Sequence, residues 1–243
     1  MRLLLLLLTL LACLPIAQAG DRAREQRWAD EILPAILDGD AVWLPQTDGH
    51  QYLGLYLAPP QARVAVIQVH GMGVHPDWGI NGVMRTRLAE RGYATLSIQL
   101  PVLDAQAGPG DYLDTFPEAR QRIAGAVSWL KARGFKNIVL VSHSLGGRMV
   151  RAYLLDAPAG AVQAWAALSL GFDDFAGLTL PILDLSTERD HMPVLIRTEA
   201  RRQSLSHPLS EQQRLPDTGH FYEDKEADVV ARVATWLKKA LPE

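Results

Sequence analysis

One serine in the sequence follows an apolar stretch in a pattern that suits nucleophilic catalysis. Residues 137–141 are strand-like and apolar after Asn137, and they run into Ser-His-Ser-Leu-Gly, centred on Ser144, after which a helical pattern begins. A serine between a buried strand and a helix lies on a sharp turn that projects its hydroxyl above the sheet. The N-terminus of the following helix also favours developing negative charge. The pattern therefore predicts Ser144 as a nucleophile.

These residues resemble the nucleophile elbow of the α/β-hydrolase family, which commonly reads Gly-His-Ser-Leu-Gly-Gly. The one departure is Ser142 in place of the first glycine. Serine is still small, so we expect the turn to form with slight crowding. The resemblance runs from about Val64 to Leu241 and implies a serine hydrolase that cleaves an ester or thioester through an acyl-serine intermediate. It implies no metal and no organic cofactor.

Such a hydrolase also needs hydrogen-bond donors for the tetrahedral oxyanion. Backbone N–H groups serve well because they are fixed before the reaction begins, and Leu145, directly after the nucleophile, would supply one. The second donor is expected in the loop after an earlier strand, where the sequence reads His70-Gly-Met-Gly. This segment resembles the family's His-Gly oxyanion motif, which implies the N–H of Met72. We interpret the His70 side chain as structural, holding the loop.

The acid of the triad is expected after a later strand. Residues 181–190 resemble a family segment in which a strand opens with proline and the acid lies nine residues further on. The resemblance implies Asp190. Asp184 falls inside the strand, and we interpret it as structural. Asp173 and Asp174 remain alternatives, because some family members place the acid after the preceding strand.

The base is expected in the loop before the last helix, where a Gly-His pair that resembles the family's loop contains His220. His220 would take the proton from Ser144 and later return it to the leaving group. Asp190 would hold the imidazole in the required tautomer. The chain order Ser144, Asp190, His220 is the order that this fold uses. The nucleophile turn, the oxyanion loop, the acid and the base together, in the order expected for this fold, are more specific than any one of these motifs.

Hydrophobic periodicity predicts the elements that position these residues. A helix over 21–37, divided near Pro34, precedes two strands at 41–44 and 51–57 that a hairpin turn joins. Apolar strands then alternate with helices, which indicates a mostly parallel α/β sheet with helices on both faces and an N-terminal antiparallel hairpin. The later strands are predicted at 64–69, 93–100, 137–141, 164–170 and 182–185, and the later helices at 81–91, 118–133, 146–155 and 229–241.

Two loops are expected to shape the substrate pocket beside the nucleophile. Residues 102–116 form the longest irregular stretch and follow the carboxyl end of a strand, where ligands bind in open α/β sheets. Only about ten residues separate Leu170 from Pro181, where many relatives insert a lid. The resemblance therefore implies an open, cap-less site, as in small esterases and dienelactone-hydrolase-like enzymes. Three arginines in a nearby helical stretch are predicted to face solvent, although an anionic group of a substrate could use them: Arg197, Arg201 and Arg202.

The first nineteen residues have the pattern of a secretory signal peptide. Arg2 is followed by an apolar run and by a small-x-small cleavage site that ends at Ala19. Cleavage there would leave residues 20–243 as a single α/β-hydrolase domain, exported to the periplasm or secreted. A retained membrane span and a lipid anchor through Cys13 are the alternatives, and the second would need an unusually short signal. With the signal peptide, the N-terminal helix and the His-Pro-Asp-Trp segment that begins at His75, the chain resembles a group of exported bacterial hydrolase-like proteins.

Composition limits the partners. The chain is 48% hydrophobic and 21% charged with a net charge of −3, which is ordinary for a globular domain and argues against a nucleic-acid binder. Cys13 is the only cysteine, so cleavage after Ala19 would leave no disulfide and no thiolate nucleophile. The expected partner is a small-molecule ester or thioester, with no stable membrane span after cleavage. The oligomeric state has no signature in the sequence.

Other functions fit the same motifs. An acyltransferase could use the same triad, because only the acceptor would differ. A non-catalytic envelope protein could keep the fold as a binding module, since fold alone never proves activity. A zinc site formed by His70, His75 and Asp77 lacks the spacing of metalloproteases.

Overall fold

A computed structural model describes residues 20–241, and the predicted signal peptide lies outside the described residues. An eight-stranded sheet with the order β1-β2-β4-β3-β5-β6-β7-β8 forms the centre. β1 pairs antiparallel with β2, β2 pairs antiparallel with β4, and the other neighbours are parallel. The strands are β1 (Asp40–Pro45), β2 (Gln51–Leu57), β3 (Val64–Val69), β4 (Ala94–Ile98), β5 (Asn137–His143), β6 (Ala164–Leu168), β7 (Ile182–Arg189) and β8 (Glu211–Gly219).

Among residues 20–241, seven α-helices surround this sheet, with 3₁₀ turns at Leu33–Ala35 and Asp111–Thr115. The helices are α1 (Arg22–Ile32), α2 (Ile80–Ala89), α3 (Phe116–Ala132), α4 (Leu145–Asp156), α5 (Met192–Leu195), α6 (Thr198–Ser204) and α7 (Glu226–Ala240). α3 and α4 pack on one face of the sheet, while α2 and α7 pack on the other. The predicted fold class, a mostly parallel sheet with an antiparallel N-terminal pair, is confirmed.

The strands alternate between the two cores as the continuous apolar pattern requires. Ile67 and Leu140 contribute to the core under α3 and α4, whereas Val66 and Val139 contribute to the core under α2 and α7. Apolar burial is the main favourable term in folding, so a strand with two covered faces needs apolar residues on both. In the part of the chain that the structure describes, no helix is long and apolar enough to cross a membrane.

The last strand of the sheet, β8, was not predicted from the sequence. β8 is an edge strand, and of its nine residues only Leu215 and Thr218 are buried. An exposed edge strand shows no continuous apolar run, and Pro216 further weakens the pattern because proline disfavours a central strand. β8 matters because it ends at Gly219, one residue before His220.

The prediction that Arg201 faces solvent is wrong. α6 packs against the sheet, and the Arg201 side chain is fully buried beside Asp184, which is also fully buried. Arg201 Nε donates to both carboxylate oxygens at 3.0 and 2.9 Å, and Nη1 donates to two backbone carbonyls. Periodicity could not reveal this pair, because the partner of the arginine lies 17 residues earlier on β7. Asp184 is structural, as predicted.

Replacing Arg201 with leucine is expected to lower the free energy of unfolding by about 3–5 kcal/mol, because it leaves the Asp184 carboxylate buried without its counter-ion. Urea unfolding at pH 7 measures the loss. The neighbouring Arg202, whose partner Glu199 is exposed, offers a matched control, and Arg202→Leu should leave the unfolding midpoint unchanged. The double variant Arg201→Leu with Asp184→Leu should recover most of the lost stability. Equal midpoints for Arg201→Leu and wild type would contradict the assignment.

Candidate active site

Ser144 lies on the sharp turn between β5 and α4. Its φ of 54° falls in a region that side chains other than glycine rarely adopt, and such strain is typical of functional positions. The turn demands a glycine at position 146, because a Cβ there would lie 2.3 Å from the carbonyl oxygen of His70. The first turn of α4 therefore packs directly against the loop after β3.

Ser142 replaces the family's first glycine without preventing this turn. Its side chain is buried, and its Oγ accepts a hydrogen bond of 2.8 Å from the indole Nε1 of Trp165. The departure from the family pattern thus brings a buried hydroxyl with a hydrogen-bond partner of its own.

The structure brings Ser144, His220 and Asp190 together in one hydrogen-bonded row. The Oγ of Ser144 lies 2.8 Å from Nε2 of His220, and Nδ1 of His220 lies 2.6 Å from Oδ1 of Asp190. Asp190 follows β7 and His220 follows β8, so two neighbouring parallel strands deliver the two side chains to the same edge of the sheet. In this row the serine hydroxyl can donate to Nε2 of His220, and Nδ1–H of His220 can donate to the carboxylate of Asp190.

The second oxygen of Asp190 is held by groups from two other positions in the chain, neither of which the sequence pattern indicates. Oδ2 accepts from the Ser169 hydroxyl at 2.6 Å and from the Thr187 N–H at 3.1 Å, while Oδ1 also accepts from the His191 N–H at 2.9 Å. Burial raises the pKa of Asp190, but the hydrogen bonds from His220, Ser169 and Thr187 outweigh it and lower the pKa to about 2. The carboxylate is therefore charged at neutral pH.

The two alternative acids lie elsewhere. Asp173 pairs with Arg148 at 2.8 Å, and Asp174 pairs with Arg151. Both aspartates belong to the loop after β6 and contact α4 through these arginines. Of the three candidate acids, Asp190 is the one that hydrogen-bonds to His220.

The two predicted oxyanion donors flank Ser144. Leu145 is the first residue of α4, and the first N–H groups of a helix have no acceptor within the helix. On the other side, the loop after β3 approaches so closely that a Cβ at Gly71 would lie 3.5 Å from the Cβ of Ser144. Met72 follows Gly71, and Met72 and Leu145 both line the pocket that contains the serine.

His70 holds the loop after β3, as predicted. Its Nδ1 donates to the carbonyl of Gly71 at 2.8 Å, and its Nε2 accepts from the N–H of Leu100 at 2.9 Å. Complete burial lowers the pKa of His70 to about 4, so the ring is neutral. Since both ring nitrogens have partners, His70 cannot serve as a zinc ligand in this arrangement. Residues 20–241 contain no group of three or more side chains placed to hold a metal ion.

Two further histidines enclose the imidazole of His220. The ring of His191 stacks on it with centroids 3.8 Å apart and planes 13° apart. On the buried side, Nε2 of His143 donates to the carbonyl of His220 at 2.9 Å, and burial lowers the pKa of His143 to about 4. Neither contact could be predicted from the sequence, because the residues that meet lie 29 and 77 positions apart and share no local pattern.

Two hydroxyl groups, those of Ser169 and Tyr222, form a hydrogen-bonded network with the Asp190 carboxylate. Ser169 follows β6 with a φ of 53°, and its hydroxyl lies 2.8 Å from that of Tyr222 as well as beside Asp190. The Tyr222 hydroxyl donates to the carbonyl of Leu185 at 2.8 Å. A serine at the carboxyl end of a parallel strand is the one signal that could have identified Ser169, because functional side chains collect at that edge.

A pocket of about 300 Å³ opens above Ser144. Most of its lining is apolar or aromatic, and the long loop over 102–116 contributes Pro109. Besides the serine, the histidines and the oxyanion loops already named, the walls are formed by Val74, Trp78, Arg148, Ser169, Phe172, Pro193, Val194 and Phe221. An apolar pocket with a few convergent polar groups is the usual form of a small-molecule site.

No family model matches the chain, and no curated protein matches it. Several solved structures are similar to this chain in fold. Dienelactone hydrolase from Anabaena variabilis is 20% identical with a TM-score of 0.68, and the match covers 82% of this chain and 96% of that one. An esterase from Pyrococcus furiosus is 15% identical, with a TM-score of 0.65 and coverage of 82% and 92%.

A serine hydrolase of the α/β class without a lid, from Xanthomonas campestris, is 18% identical with a TM-score of 0.60. That match covers 86% of this chain and 97% of that one. At such identities the likeness bears on the fold alone. The chain therefore has the α/β-hydrolase fold.

Proposed function

We propose that this protein is a serine hydrolase that cleaves a carboxylic ester or thioester through an acyl-Ser144 intermediate. The observation that carries the proposal is the hydrogen-bonded row of Ser144, His220 and Asp190 at the floor of an apolar pocket, with distances of 2.8 and 2.6 Å. A nucleophile within hydrogen-bond reach of a base, itself oriented by a third group, is the arrangement that activates a serine.

In the first half of the reaction, Ser144 Oγ attacks the carbonyl carbon and forms a new C–O bond. Its proton moves to Nε2 of His220, and the charged carboxylate of Asp190 stabilises the resulting imidazolium. The tetrahedral oxyanion accepts hydrogen bonds from the N–H groups of Leu145 and Met72. The intermediate then expels the alcohol or thiol, which takes the proton from His220, and leaves the acyl group on Ser144.

In the second half, water attacks the acyl carbon while His220 accepts one of its protons. The tetrahedral intermediate collapses, the bond to Ser144 Oγ breaks, and His220 returns the proton to the serine. The carboxylic acid leaves and the free enzyme is restored.

The substrate in this proposal is a small molecule. An apolar pocket of about 300 Å³ supports an acyl or alcohol group of modest size, and several structures with this fold are esterases or dienelactone hydrolases. We also propose that the protein is exported, on the pattern of its first nineteen residues.

A fluorophosphonate probe, which labels activated serines covalently, tests the proposal. Wild-type protein should be labelled and Ser144→Ala should not, because the alanine variant has no hydroxyl to attack phosphorus. Intact-mass measurement gives the stoichiometry, and peptide mapping locates the adduct.

Ser142→Ala provides a matched control, since Ser142 is two residues away, is buried, and hydrogen-bonds to Trp165 rather than to His220. It should be labelled like wild type. Failure of the wild type to react, or equal labelling of Ser144→Ala, would favour a non-catalytic binding protein. Adding an alcohol to a p-nitrophenyl ester assay then separates water from alcohol as the acceptor.

A further inference from the structure

Among the described residues that line the pocket, Arg148 alone carries a permanent charge. It lies on α4, four residues after Ser144, and residues at this spacing share one face of a helix. Its side chain is 18% exposed, so the guanidinium belongs to the pocket wall rather than to open solvent. A charge in such an apolar wall interacts more strongly with a ligand than it would in water.

The guanidinium of Arg148 is held in place through Nε and by two aromatic rings, but part of its hydrogen-bonding capacity has no partner. Nε donates to Oδ2 of Asp173 at 2.8 Å, and the rings of Phe116 and Phe172 lie 5.5 and 5.3 Å from the guanidinium carbon, within range of cation–π attraction. Within residues 20–241, neither terminal nitrogen of Arg148 hydrogen-bonds to another residue. These nitrogens form the edge of the guanidinium that can bind a carboxylate through two parallel hydrogen bonds.

If the role of Arg148 were purely structural, its donors should be bound to the protein in the way that those of Arg151 are. One turn further along α4, Arg151 donates to the carbonyls of Asp174 and Ala176 and to the Asp174 carboxylate. Arg151 therefore already connects the loop after β6 to the helix, and it does not line the pocket. Arg148 differs because it lines the pocket that contains the nucleophile, and its terminal nitrogens have no hydrogen-bond partner among the described residues.

We propose that Arg148 binds an anionic group of the substrate, so that the preferred ester carries a carboxylate a short chain away from the scissile carbonyl. The inference rests on the proposed hydrolase function and adds a substrate class to it. Asp173 fixes the orientation of the guanidinium through Nε, and the aromatic rings limit its movement. The remaining wall accepts the apolar chain that joins the anion to the ester.

Paired p-nitrophenyl esters test the proposal. The monoester of adipic acid and the ester of hexanoic acid share four methylenes and differ only in a terminal carboxylate or methyl group. Wild type should show a kcat/KM for the adipate at least about tenfold higher, as expected for hydrogen bonds to a charged group. A second pair, 4-butyryloxybenzoate and phenyl butyrate, places the carboxylate on the alcohol side. A preference within either pair supports the proposal and identifies which side of the ester is charged.

Three variants assign the effect to Arg148. Arg148→Met should lower the preference, which is the ratio of the two kcat/KM values, about tenfold, mainly through a higher KM for the charged ester. Arg148→Lys, which keeps the charge but loses the two-pronged geometry, should retain part of the preference. Arg151→Met is the matched control, and it should keep the full preference. Thermal unfolding shows whether each variant is folded. If Arg148→Met does not fold, the test rests on whether Arg148→Lys loses part of the preference while Arg151→Met keeps all of it.

The outcomes separate this inference from the hydrolase proposal. Turnover of the uncharged esters with no preference for a carboxylate in either pair would overturn the role of Arg148 and leave the hydrolase standing. A preference that survives in Arg148→Met would also overturn it. If no ester is turned over and the fluorophosphonate probe does not label Ser144, the hydrolase proposal itself fails and the inference fails with it.

Discussion

Replacing Asp190 with asparagine is expected to lower kcat by about 10⁴-fold while KM changes little. Asparagine is nearly the same size, but its amide cannot stabilise the imidazolium that forms when His220 takes the proton from Ser144. It can also donate to Nδ1 and so favour the wrong tautomer of the imidazole. Steady-state kinetics on a p-nitrophenyl ester at neutral pH measures the effect.

Asp173→Asn is the control for this prediction, because Asp173 was an alternative acid in the sequence and pairs with Arg148 in the structure. We expect kcat on an uncharged ester to stay within a factor of a few of wild type. If Asp190→Asn retained wild-type kcat while Asp173→Asn lost it, the assignment of the acid would be wrong. The unfolding midpoint of each variant shows whether a loss of activity reflects a loss of folded protein.

Acidification from pH 7.5 to 4.5 is expected to lower the free energy of unfolding by several kcal/mol. Burial lowers the pKa values of His70 and His143 to about 4, whereas an unfolded chain binds these protons near pH 6.5. The unfolded state therefore gains protons that the folded state cannot accept. Stability is complete above pH 6.5 and falls as the pH decreases towards 4, by about 3 kcal/mol for each histidine.

Protonation of carboxylates changes the free energy of unfolding at a lower pH than protonation of the histidines does. The pKa of Asp190 is lowered to about 2 in the folded state, so its stabilising effect is present above its ordinary value of 3.8 and is lost as the pH falls towards 2. His75 and His191, whose pKa values burial also lowers, add to the loss in the histidine window. The two windows can thus be separated by the choice of pH.

Urea unfolding at several pH values between 7.5 and 4.5 measures this dependence. His143→Asn removes one of the two deeply buried imidazoles and keeps an N–H donor, so it should reduce the slope of stability against pH by up to about 1.4 kcal/mol per pH unit. Equal stability at pH 7.5 and 4.5 in the wild type would show that these imidazoles can be protonated without unfolding.

Much of the fold could be predicted because its information is local. The strands from β3 to β7 and the helices between them were identified from apolar runs and helical spacing, with boundaries within a few residues. The turn at Ser144 was also local, since a strand, a small-x-Ser-x-Gly segment and a helix follow one another directly. His220 and Asp190 depended on the family resemblance. The structure places His220 beside Ser144 and Asp190 beside His220, while their roles in catalysis stay predictions.

The tertiary structure decided what depends on distant partners. The hydroxyl of Ser169 lies 21 residues from Asp190 in sequence, and the ring of His191 meets that of His220 across 29 residues. Arg201 was assigned to solvent from its local pattern, yet it is buried because Asp184 provides a charge in the core.

The sequence by itself thus determined where a nucleophile could lie, because a strained turn between a buried strand and a helix has a local signature. Only the tertiary structure decided what surrounds it: the groups that lower the pKa of Asp190, the stacked His191, and the free donors of Arg148 in the pocket wall. The physical reason is that hydrogen bonds and charges act over a few ångströms in space. The residues that supply them here come from separate strands and loops, which meet only when the sheet has formed.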